Sequence, residues 1–202
     1  MHDCCAPEDR GSSRVGRHRL AGWIGLPVLL LLAWAPFPGA VARATPPAEN
    51  SSQRQLAVAP TTNRPAFTLP DLDGCPRKLQ EQAGRIVLVH FFATWCEPCR
   101  EELSSLSRLV EGPHGQRLVV LAVNVAEVPV RVRRFLDAAP VSFAVVLDAD
   151  RAVTRGWGVG ILPTTFVLDA SLQARLFVEG DVDWSRPDIL SALEAIGAEH
   201  TK

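Results

Sequence analysis

The run Ile86 to Phe92, IVLVHFF, is apolar at every position except His90. A strand with apolar side chains on both of its faces needs cover on both, which places it inside a sheet with a layer on either side. The period then changes at once. ATWCEPCREEL brings two cysteines separated by two residues, and Leu103, Leu106, Leu109 and Val110 recur at helical spacing until Gly112-Pro113 stops them. The order is strand, CxxC, helix.

The rest of the chain extends this pattern. LVVLAVNV, Leu118 to Val125, reads as a second buried strand. Pro129 opens a helix whose Val132, Phe135, Leu136 and Ala139 share a face before Pro140, which completes a βαβ crossover. FAVVLD, Phe143 to Asp148, is a third strand, and a short helix is predicted over Arg151 to Trp157. PTTFVLD and ARLFVEG read as an antiparallel pair. Ser185 is the predicted cap of a last helix with Ile189, Leu190, Leu193 and Ile196 inside and Gly197 past its end. Upstream, FTLPDLDGCPRKL predicts a lead-in hairpin turning at Asp73-Gly74. The expected class is α/β, a central mixed β-sheet flanked by helices.

With 202 residues, 47% hydrophobic and 21% charged, the chain fits one core plus an appendage. A formal net charge of −1 with scattered Lys and Arg excludes the basic stripe that nucleic-acid binding requires. The predicted organisation is an N-terminal segment over 1–44, a Pro/Ala/Ser/Thr-rich linker over 45–65 and one domain over 66–199.

The N-terminal segment bears on compartment. Arg10, Arg14, Arg17, His18 and Arg19 precede an uncharged apolar stretch from Leu20 to Ala42, the order of an export signal. Ala40-Val41-Ala42 or Ala42-Arg43-Ala44 offers small residues for a peptidase. The same stretch is long enough to cross a hydrocarbon core of about 30 Å, so a cleaved signal peptide and a retained membrane anchor are both open. Either places the domain outside the inner membrane, in the periplasm or an equivalent extracytoplasmic space.

Five cysteines bound the chemistry. A structural zinc site needs four Cys or His ligands, often as two CxxC pairs, and this chain has one. Cys4 and Cys5 precede the export segment, and Cys75 in the hairpin turn reads as a partly buried bystander, with a redox or pairing role as the alternative. That leaves Cys96 and Cys99. A disulfide across two residues closes too short a loop to stabilise much, so a staple explains the pair poorly. At the N-terminus of a helix, unpaired N–H groups favour a Cys96 thiolate, and Cys99 one turn on is within reach to resolve a mixed disulfide. Glu97 and Glu102 are read as anions that disfavour that thiolate and make the couple more reducing, the alternative for Glu102 being a solvated helix residue.

VLVHFFATWCEPCREEL together with GILPTTFVLD resembles the thioredoxin superfamily, and more closely its TlpA/ResA-like branch, over about Phe67 to Ile196. The resemblance implies a thioredoxin-like fold with an N-terminal hairpin and an inserted helix-strand. It also implies an exported thiol-disulfide oxidoreductase, with Cys96 as the exposed attacking thiol, Cys99 as the buried resolving thiol and Trp95 flanking the site. Pro163 is implied to be cis, leaving the Leu162 backbone free to pair with an extended substrate segment. Glu97 and Pro98 between the cysteines, and Glu102 after them, accompany reduction of apocytochrome c in that branch. Expected partners are protein substrates with disulfides and a membrane thiol-disulfide electron donor, and the inner membrane itself if the N-terminal segment is not cleaved. No organic cofactor and no metal are expected, because the dithiol itself carries two electrons. Two departures are His90, where the branch often has Asn, and Ser104, where it commonly has Pro. The resemblance implies that His90 points toward Cys99, where a neutral imidazole would accept the Cys99 proton and an imidazolium would stabilise thiolates, so the sign stays open; the alternative is a histidine satisfied by local hydrogen bonds. The alternatives are a protein disulfide oxidant or isomerase, and a Cu(I) carrier using the two soft thiolates.

Overall fold

A computed structural model describes residues 54–198, so the expectations for the export segment and for Cys4 and Cys5 lie outside the described residues. Within that range the elements run β1 (Ala57–Val58), β2 (Thr68–Pro70), β3 (Pro76–Lys78), β4 (Ile86–Phe92), α1 (Glu97–Glu111), β5 (Leu118–Val125) and α2 (Pro129–Ala138). They continue with β6 (Ala144–Asp148), α3 (Ala152–Gly156), β7 (Thr164–Leu168), β8 (Ala174–Glu179) and α4 (Pro187–Ala198).

Six strands form one sheet in the order β1-β8-β7-β4-β5-β6, and β2 and β3 form the separate lead-in hairpin. β4, β5 and β6 are parallel, while β7, β8 and β1 are antiparallel to their neighbours, so the sheet is mixed. Every residue of β4 is buried. Its alternation divides the core: Val87, Val89 and Phe91 pack with Leu121, Val123, Phe166 and Trp157 on one side. Ile86 and Leu88 pack with Leu106 and Leu109 of α1 and Ile189 and Leu193 of α4 on the other. Phe92 continues that second face against Cys99, Leu103 and Val132. His90 stands in register between Leu88 and Phe92 and therefore meets α1.

Three local expectations are corrected. Residues 57–58, within the predicted linker, pair with β8 as an edge strand. The main-chain N–H groups there found carbonyl partners that Pro/Ala/Thr-rich composition does not reveal. Ser185 does not cap α4, because its Oγ donates to Asp183 Oδ1 at 2.6 Å and the first helical bond runs from Leu190 N to Arg186 O. Gly197 lies inside the last turn of α4 rather than past it.

Topology brings the chemistry to one edge. β4, β5 and β6 all end there, β7 begins there, and the β4–β7 register of Phe91 with Thr164 sets Pro163 beside the turn that leaves β4. The carboxyl ends of parallel strands are where α/β sites collect.

Candidate active site

At the end of β4 the chain turns through Ala93, Thr94 and Trp95, and Cys96 becomes the N-cap of α1 with extended dihedrals (φ −84°, ψ 105°). Pro98 in the first turn costs no hydrogen bond there, since that N–H has no helical partner. Cys96 and Cys99 are joined as a disulfide, S–S 2.00 Å, and the Cys99 N–H donates to Cys96 Sγ at 3.3 Å. Cys99 is fully buried, whereas Cys96 keeps 6% of its surface. Cys96 is thus a narrow window rather than the exposed thiol expected, because Ala93, Phe92 and Leu103 close around it. Glu97 points to solvent and pairs with Arg100 at 3.2 Å.

A residue that sequence reading missed holds the turn. Glu127, buried just past β5, accepts from Thr94 N at 2.6 Å, from Thr94 Oγ1 at 2.6 Å and from Asn124 Nδ2 at 2.8 Å. The chain reaches it through Ala126, whose φ of 59° is unusual for a residue with a side chain. A signal was present: two polar residues, Asn124 and Glu127, break an apolar run where a parallel strand ends.

Under α1 lies a buried polar chain. His90 Nδ1 is 2.9 Å from Thr165 Oγ1, its cross-strand neighbour on β7. Thr165 Oγ1 donates to Glu102 Oε1 at 3.4 Å, and Trp184 Nε1 donates to the same oxygen at 2.6 Å. Glu102 follows Cys99 by one turn on the buried face of α1. Burial raises its carboxyl to about 8, only partly opposed by the Trp184 bond. Burial also pushes His90 down to about 3. The readings of Glu102 as an anion or a solvated residue are therefore corrected, since at pH 7 its carboxyl is mainly protonated. The open sign at His90 resolves to a neutral imidazole, so the 3.8 Å approach of His90 Nδ1 to Glu102 is not an ion pair at pH 7. The hydrogen-bond partner of the His90 ring is Thr165.

Leu162 packs against the cluster that holds both cysteines, and the Leu162–Pro163 peptide is cis. Thr164 Oγ1 donates to Ile161 O at 2.8 Å, and Gly180 N donates to Pro163 O at 2.7 Å. Beside this loop a cleft of about 490 Å³ is lined by Trp95, Ala126, Arg151, Thr154, Ile161 and Leu162. Of this lining Trp95, next to Cys96 in the chain, and Ile161 stand 68% and 50% exposed, an apolar rim to the cleft. Among the described residues no group of three or more His, Cys, Asp or Glu side chains converges as a metal cluster would.

Comparison with known proteins gives the setting. The model of the AhpC/TSA family matches residues 60–175. A thiol-disulfide oxidoreductase ResA of Geobacillus thermodenitrificans is 33% identical over 147 residues, covering 73% of this chain and 83% of its own. ResA of Bacillus subtilis is 34% identical over 113 residues, 56% of this chain and 63% of its own. Among solved structures, a thiol:disulfide interchange protein of Chlorobium tepidum, of the thioredoxin family, matches with a TM-score of 0.58 at 26% identity, covering 68% of this chain and 99% of that one.

Proposed function

The chain belongs to the AhpC/TSA family and is a thiol-disulfide oxidoreductase of the thioredoxin-like, ResA-like kind, and from that premise we propose that Cys96–Cys99 works outside the cytoplasm as a reductant of protein disulfides. In this reading the Cys96 thiolate enters through its window and attacks one substrate sulfur, and the other substrate sulfur leaves as a thiol. Cys99 then attacks Cys96 Sγ, the substrate departs with both sulfurs reduced, and the pair is left oxidised. A membrane thiol donor returns two electrons and two protons per cycle. Trp95 and the Leu162–Pro163 loop hold the substrate segment, and apocytochrome c is the candidate substrate that resemblance to the ResA-like branch suggests.

The observation that carries the direction is that the two ionisable side chains under the pair, His90 and Glu102, both rest mainly neutral at pH 7. Neither supplies a cation to stabilise a thiolate, and Cys99 sits fully buried beside Phe92, Leu103 and Ala122. A poorly stabilised reduced form gives up electrons readily. The test is the reduction potential of the pair, measured against glutathione and dithiothreitol buffers. A value near that of thioredoxin, roughly −270 mV, supports a reductant, and one near the roughly −120 mV of a strong oxidant overturns the direction.

A further inference from the structure

The chain that leads into the fold is bound to the back of the Pro163 loop. Pro163 has no N–H, so its carbonyl is its only main-chain link to β8, and Gly180 N takes it at 2.7 Å. Gly180 is buried with a φ of 87°, and a Cβ placed on it would overlap Nη1 and Cζ of Arg54. The Arg54 guanidinium therefore packs directly against Gly180. It is pinned there by a 2.6 Å bond from Nη1 to Glu179 O, the residue that pairs with Thr164 in the β7–β8 ladder. Its own carbonyl is held in turn: Arg186 Nη1 donates to Arg54 O at 2.6 Å, while Arg186 Nε and Nη2 grip Asp188 at 3.0 and 2.6 Å. A continuous line runs from the first turn of α4 through Arg186 and Arg54 to Gly180 and Pro163.

We propose that Arg54 is a positioning residue for the dithiol site, fixing through Gly180 the Pro163 loop on which an extended substrate segment lies. The arm that enters the domain is then a working part of the redox site. Resting on the oxidoreductase reading above, this deepens it by assigning substrate positioning to a residue far from the cysteines in sequence. The positive charge of Arg54 also acts on the buried Glu102 carboxyl, in the direction opposite to Asp181, with His90 the other ionisable group beside it.

The experiment compares the full chain with Arg54→Ala, Arg54→Lys, Gly180→Ala and the Arg54→Ala/Gly180→Ala double variant on two substrates, with dithiothreitol supplying the electrons for the first and pre-reduced protein freed of dithiothreitol used for the second. One is insulin, a chain-like protein disulfide. The other is 5,5′-dithiobis(2-nitrobenzoate), a small disulfide that needs no loop to lie on. Arg54→Ala should raise KM for insulin roughly fivefold, leave kcat nearly unchanged and change turnover of the small disulfide less than about twofold. Arg54→Lys should recover part of the KM. Gly180→Ala should weaken insulin turnover, and adding Arg54→Ala should cost little more, because both act on one contact. Equal losses on both substrates, an unchanged KM in Arg54→Ala or additive losses in the double variant overturn the proposal. Failure of the unmodified chain on both substrates overturns the oxidoreductase reading instead.

Discussion

The indole N–H of Trp184, in the loop before α4, donates to Glu102 Oε1 at 2.6 Å in the layer between α1 and the sheet. Both side chains are out of solvent, and Glu102 Oε2 has no hydrogen-bond partner among the described residues. Burial, opposed only in part by that bond, lets the carboxyl keep its proton to about pH 8. The layer beneath the dithiol is therefore polar but nearly uncharged at neutral pH.

Stability should show this as an asymmetric pH profile. Glu102 moves from 4.5 to about 8 on folding and His90 from 6.5 to about 3, both chiefly through burial. Glu102 keeps a proton that the unfolded chain has lost, so its contribution falls as pH rises from 4.5 to 8. His90 refuses a proton that the unfolded chain takes up, so its contribution falls as pH drops from 6.5 to 3. The slopes cancel between 4.5 and 6.5. Urea unfolding of the oxidised protein should give a plateau there and a decline above it of at most about 1.4 kcal/mol per pH unit. Glu102→Gln should abolish the alkaline decline, and a wild-type profile level from pH 6.5 to 8 would refute the neutral carboxyl.

The two cysteines should behave differently when replaced. Cys96→Ser is expected to abolish exchange, because the thiol with access to solvent is lost. Cys99→Ser is expected to accumulate a substrate adduct, because attack proceeds and resolution does not. Non-reducing electrophoresis of material from an export-competent host distinguishes them. An adduct on Cys96→Ser in place of Cys99→Ser would reverse the roles.

Glu127→Ala removes the acceptor for three donors, of which Asn124 Nδ2 is fully buried. Leaving such donors unpaired should cost about 2–3 kcal/mol. Chemical unfolding measures that loss. Slower insulin reduction should accompany it, because Thr94 lies two residues before Cys96. An unfolding midpoint within error of wild type would mean that the turn holds without this clamp.

Trp95→Ala tests the apolar rim. With 68% of the side chain exposed, its loss should leave unfolding within about 0.5 kcal/mol of wild type. KM for a protein disulfide should rise by roughly tenfold, as for an aromatic anchor at an interface. An unchanged KM would remove Trp95 from the substrate surface.

Much of this was legible along the chain because its signals are local. The both-faces-apolar run of β4, the cysteine spacing and the leucine period of α1 each depend on neighbours within a turn or two, and the elements formed where those patterns lie. The hairpin at Gly74, whose φ is 81°, followed from the same kind of signal. Glu102 was half legible: it shares the 3–4 spacing of Cys99, Leu103 and Leu106, which places it on the buried face, yet spacing carries no information on ionisation. Charge state is a property of desolvation and of partners that arrive from elsewhere, here Thr165 and Trp184 from β7 and the loop before α4. The same holds for the Glu127 clamp on Thr94 and for Arg54 against Gly180, contacts between segments far apart in sequence. By itself the sequence determined most of the strands and helices, though not the edge strand at 57–58 or the ends of α4, and that a dithiol stands at the start of α1. Only the tertiary structure decided what surrounds that dithiol, because electrostatics and hydrogen bonding depend on distances that the fold, not the spacing, sets.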